Sequence, residues 1–135
     1  MSAYYADASA LVKLVLDEPE TPALREFVSG AELVSCELVL TELPRAIRRA
    51  SALDQRLPVD SLMERAQAVI DAVALRPADR ALLLMAGALA EPSLRALDAI
   101  HIAAAVDLFP HDGFVSYDER QSAAARMTGL RTFRP

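Results

Sequence analysis

Ala3-Tyr4-Tyr5-Ala6-Asp7-Ala8-Ser9-Ala10-Leu11-Val12 is the stretch that decides the fold. An apolar run ends in an acid, and an amphipathic segment, Ser9 to Leu16, starts at once, with Ser9 the expected N-cap. This is a strand passing straight into a helix, and it puts the Asp7 carboxylate at the carboxyl end of the strand. Open α/β sheets bind their ligands there. The device recurs near the other end of the chain, where Phe114-Val115-Ser116-Tyr117 reads as a strand and Asp118 follows it. Asp7 itself reads either as a helix cap or as a ligand.

Between these two points strands and helices alternate. Ala23 to Ser29 is an expected helix stopped by Gly30, and Leu33 to Cys36 a strand. A helical segment from about Glu37 to Ala50 contains Pro44, which is expected to kink it. Val59 to Asp71 has the spacing of a single apolar face, and Ala72 to Leu75 is a short strand. Ala78 to Ala90 is apolar on most sides, which predicts a buried helix. A further helix ends at Leu108, another spans Glu119 to Met127, and a last strand lies near Leu130 to Phe133. Such alternation means βαβ units, so the expected fold is a three-layer α/β/α domain with a mainly parallel central sheet. No linker or repeat divides residues 1–135, which read as one domain.

With 53% hydrophobic residues the chain can fill a core and is not a disordered sequence. Cys36 is the only cysteine, so no intrachain disulfide forms, which fits a reducing compartment. No basic leader and no bilayer-length apolar run is present, so a cytoplasmic protein without membrane contact is expected. The net charge of −5 argues against a nucleic-acid partner. Gathering four acids into one cation site would leave the rest near neutral. Thirteen of the 14 basic residues are Arg, which suits phosphate contact but also follows from a GC-rich, Ala-rich coding bias.

Two further acids stand in apolar surroundings, Glu42 within Leu38 to Leu43 and Asp98 within Ala96 to Ile100. Singly, Glu42 reads as a helix-surface residue and Asp98 as a first-turn charge favoured by the helix dipole. Jointly, Asp7, Glu42, Asp98 and Asp118 all fall at or just beyond the carboxyl ends of parallel strands, or on the helices next to them. Four converging carboxylates call for a cation, and hard oxygen donors suit Mg²⁺ or Mn²⁺. Such ions clamp phosphates and activate water, so metal-assisted phosphodiester hydrolysis fits. His101, three residues after Asp98, reads as a core histidine or one standing behind a ligand. His111 reads as solvated turn, and Cys36 as core.

Four segments resemble the motifs of PIN-domain proteins, VapC-type toxins in particular: Asp7 to Lys13, Thr41 to Ala46, Leu94 to Ala105, and Ser116 to Arg120. They occur in the family's order and span nearly the whole chain. The resemblance implies a Mg²⁺- or Mn²⁺-dependent endoribonuclease, the toxin of a type II toxin–antitoxin pair. Asp7, Glu42, Asp98 and Asp118 match the family's four acids. Asp7 and Asp98 are the expected direct metal ligands, Glu42 and Asp118 ligands or partners through water. Ser9 is expected to support Asp7, and Ser116 to support Asp118. The resemblance also implies a homodimer, a higher-order toxin–antitoxin complex, and silencing by a cognate VapB-like antitoxin. An inactive RNA-binding module would be free to lose these acids. A haloacid-dehalogenase-like phosphatase would want an Asp where Ser9 stands, and a receiver domain a late Lys.

Overall fold

The computed structural model describes residues 1–135. Its elements, in chain order, are β1 (Ala3–Ala6), α1 (Ala8–Val15), α2 (Thr21–Val28), β2 (Glu32–Cys36), α3 (Val39–Leu53), α4 (Val59–Asp71) and β3 (Ala74–Arg76). Then follow α5 (Arg80–Gly87), α6 (Ala96–Asp107), β4 (Gly113–Val115), α7 (Glu119–Met127) and β5 (Thr132–Phe133). All five strands are parallel, in the order β3-β2-β1-β4-β5. The expected α/β/α architecture is therefore present, with every strand pair parallel.

The strands carry apolar side chains on both faces, as a buried parallel sheet requires. Tyr5, Cys36 and Phe114 point into one core, shared with Leu82 of α5, Ile102 of α6 and Ala125 of α7. Ala6 and Val115 point into the other, with Leu11, Leu43 and Ile47 of α1 and α3 and Ala66 of α4. Helices α1 to α4 thus cover one face and α5 to α7 the other. The strand order reverses direction between β1 and β4, the topological switch point of such sheets. Asp7 follows the first of these strands and Ser116 the second.

Several boundaries differ from the sequence reading for local reasons. Asp7, not Ser9, caps α1: its side chain accepts from the Ala10 N–H in extended backbone geometry. Ala72 does not enter β3, because its N–H still bonds back to Ala68 at the end of α4. Helix α3 runs through Pro44 as expected but continues past Ala50 to Leu53, where Asp54 takes extended geometry. The expectation that the Ala78–Ala90 helix is buried fails. α5 packs on α6 through one side, burying Leu82 and Ala86, while Leu83 and Leu84 remain 48% and 64% exposed. An apolar circumference does not bury a helix that lies at the outside of its layer.

Candidate active site

All four predicted acids stand at helix N-termini. Asp7 caps α1 and Asp118 caps α7, while Glu42 and Asp98 lie in the first turns of α3 and α6. Each helix presents its positive end to its own carboxylate, which offsets part of the repulsion among the acids. Glu42, Asp98 and Asp118 line two adjoining clefts of about 600 and 740 Å³ and form the wall between them. Each uses one carboxylate oxygen within the protein and keeps the other free. Glu42 Oε1 lies 2.7 Å from His101 Nε2, and Asp98 Oδ1 accepts from Gln121 Nε2 at 3.0 Å. Asp118 Oδ1 accepts from the N–H groups of Arg120 and Gln121 at 2.9 and 3.2 Å.

Asp7 is placed differently. It is fully buried and lines neither cleft, lying behind Ser9, which does. Its Oδ1 accepts from Ser9 Oγ at 2.6 Å and from the Ala10 N–H at 3.1 Å, and its Oδ2 accepts from Ser116 Oγ. Each serine oxygen in turn accepts a backbone N–H from the loop after β4, Tyr117 to Ser9 at 2.9 Å and Asp118 to Ser116 at 3.0 Å. Two hydrogen-bonded arms thus reach Asp7 from that loop. Ser9 stands beside Asp7 as expected. Ser116, expected beside Asp118, gives its proton to Asp7 and meets Asp118 only through the main chain. Burial pushes the Asp7 carboxyl above its ordinary value, with both serines pulling the other way. A carboxylate oxygen has two lone pairs, so Oδ2 retains room for one more partner.

His101 is fully buried, as a core histidine should be, yet it also touches the site. Nε2 faces Glu42, whose side chain is 22% exposed, and Nδ1 faces the Tyr5 hydroxyl at 2.8 Å, with Cys36 Sγ at 3.6 Å. Burial works against its charge, but hydrogen bonds to Cys36 and Glu42 outweigh this and carry it up to about 10. Its Nε2 thereby holds Glu42 from within the core. His111 is not the solvated turn residue expected. Its Nε2 reaches the Ala105 carbonyl at 2.8 Å, and its ring packs toward Tyr5.

The clefts also contain bases that the sequence did not single out. Arg45 and Arg49, exposed one turn apart on α3, line the first cleft, and Arg95 and Arg120 line the second. None of the four makes a salt bridge, whereas Lys13 in the first cleft is engaged by Glu18 and Glu20 at 2.6 and 3.0 Å. As placed, no three acidic, histidine or cysteine side chains stand close enough to hold one ion. The fit to a divalent cation is therefore one of donor chemistry, three carboxylates with free oxygens on one wall, which are hard ligands of the kind Mg²⁺ and Mn²⁺ take.

Fold and motif order together define the class: residues 4–127 match the PIN domain model, and the chain belongs to that family. Among relatives, it is 37% identical to Ribonuclease VapC46 of Mycobacterium tuberculosis (strain H37Rv), over 100% of this chain and 99% of that one. Ribonuclease VapC47 of strain CDC 1551 is 33% identical, over 97% and 96%. The crystal structure of PAE2754 from Pyrobaculum aerophilum superimposes with a TM-score of 0.64 at 18% identity, covering 97% of this chain and 83% of that one. That likeness supports the fold.

Proposed function

We propose that the chain is an endoribonuclease that hydrolyses RNA phosphodiester bonds at the Glu42–Asp98–Asp118 wall with Mg²⁺ or Mn²⁺ bound there, and that it is the toxin of a type II pair. The observation that carries this reading is the wall itself. Its three free carboxylate oxygens open onto two clefts in a chain whose full-length relatives are named as ribonucleases. Glu42, Asp98 and Asp118 would hold the ion, with Asp7, the expected direct ligand, buried behind them as the fourth acid. When bound, such an ion polarises a phosphate oxygen and lowers the pKa of water.

The chain's own residues do the rest. Arg45 and Arg49 on one side of the wall and Arg95 and Arg120 on the other contact the phosphates flanking the scissile one. His101 holds the Glu42 carboxylate, and the two serine arms hold Asp7. Water attacks in line, so the 2′-hydroxyl takes no chemical part and the products carry 5′-phosphate and 3′-hydroxyl ends. A VapB-like antitoxin would silence the enzyme by covering these clefts. The uncovered Leu83 and Leu84 support a homodimer, and no helix is long and apolar enough to cross a membrane.

The test is cleavage of a structured RNA by the purified chain. Cleavage should require Mg²⁺ or Mn²⁺, stop with EDTA, and fall at least about 100-fold in Asp98→Asn, more than the loss of a supporting contact costs. Products ending in 2′,3′-cyclic phosphate, or undiminished cleavage in EDTA, would overturn the reading.

A further inference from the structure

Asp118-Glu119-Arg120-Gln121 has the form of a capping box. In that motif the third residue after the cap turns its side chain back to accept the cap's own N–H. Half of the box is present, since Asp118 Oδ1 accepts from the Gln121 N–H at 3.2 Å. The reciprocal half is not made. The Asp118 N–H goes to Ser116 Oγ, and the Gln121 side chain leaves its own helix, donating from Nε2 to Asp98 Oδ1 on α6 at 3.0 Å. Its Oε1, the atom a capping box would have used, is buried without a hydrogen-bond partner in the protein, and the residue is only 7% exposed. An amide oxygen left so loses its hydrogen bonds to water without replacing them. The diversion is therefore unfavourable for the helix alone.

What it achieves is a link between two of the acids. Gln121 holds Asp118 through its main chain and Asp98 through its side chain, and it lines the first cleft beside them. It makes the only side-chain hydrogen bond to Asp98. We propose that Gln121 is a positioning residue of the acidic site, spanning Asp98 and Asp118 and setting their separation and orientation for a divalent cation. The inference rests on reading the wall as a Mg²⁺ or Mn²⁺ site. Fixing Asp98 by its Oδ1 leaves Oδ2 turned free for the ion. Supports of this kind commonly account for 10- to 100-fold in metal affinity. A tie that merely joins α6 to α7 would affect melting and leave that affinity alone.

Mn²⁺ binding to the purified full chain, followed by the electron paramagnetic resonance of the free ion, separates the two. Gln121→Met keeps the side chain's length and the helix while removing both amide functions, and Gln121→Ala removes the side chain. Both should raise the Mn²⁺ dissociation constant roughly tenfold or more with unchanged circular dichroism. The Mn²⁺ concentration for half-maximal RNA cleavage should rise by the same factor. Constants within twofold of the parent's in both variants overturn the proposal, even if melting falls. A parent chain that binds no Mn²⁺ overturns the reading of the wall itself, and this inference with it.

Discussion

Asp7 can serve a cation only as a carboxylate, and its position opposes that charge. Burial raises its pKa above the ordinary 3.8. Below that value the group is protonated in both folded and unfolded chains and contributes no difference. As pH rises through the higher folded value, the unfolded chain is already ionised and the folded one ionises at a cost. Asp7→Asn removes that cost, and an amide can still accept from Ser9 and Ala10 and donate to Ser116. In EDTA the variant should be more stable than the parent near neutral pH, the gap closing below about pH 4, while RNA cleavage is lost. Thermal melts across that range check it, and a parent at least as stable at neutral pH contradicts it. The four acids were legible in the sequence because Asp7 and Asp118 follow strands directly, and Glu42 and Asp98 interrupt apolar stretches at helix starts. Gln121 and the inner face of His101 were not. Their partners lie 23 and 59 residues away, and no local period encodes a side chain that crosses between elements.

At the scale of elements, periodicity marked helices well where one face is apolar, as in Val59–Asp71, and where cap and stop both show, as in Glu119–Met127. It failed for α5, whose sequence is uniformly apolar and so does not say which side is covered. The edge of the sheet offers a sharper test. Gly113 opens β4 at φ 159°, and a methyl group there would meet the Phe133 ring of β5 and lie 3.0 Å from the Arg131 carbonyl. The ring can move only by disturbing its packing against Tyr4 and Phe27. Gly113→Ala should destabilise the fold by about 1–3 kcal/mol, measured by urea denaturation. It should act through β5, since the acids keep their own hydrogen bonds. A midpoint equal to the parent's would show that the β4–β5 edge gives way freely.

Among the exposed apolar side chains of the whole molecule, Leu83 and Leu84 are adjacent in the chain on α5. Large exposed aliphatic side chains at adjacent positions mark association surfaces more often than free ones. The parent should run in light scattering at about twice its 14.6 kDa chain mass at micromolar concentration, and Leu84→Arg should shift it toward the monomer, since a buried unpaired guanidinium is strongly disfavoured. A parent that is already monomeric, or a variant that stays dimeric, removes α5 from the interface.

The two arms that hold Asp7 also fix an order of events. The first acid of the chain depends on the Ser116 hydroxyl and on the N–H groups of Tyr117 and Asp118, and β1 gains its second neighbour only when β4 joins it. Two of the four acids, and the loop that orients Asp7, are the last parts of the site to be synthesised. A growing polypeptide therefore lacks two of the acids and the loop that holds Asp7 until β4 and the start of α7 have been made. On the proposed function, such an enzyme would have no complete acidic site beside the RNA of the translation machinery until β4 enters the sheet.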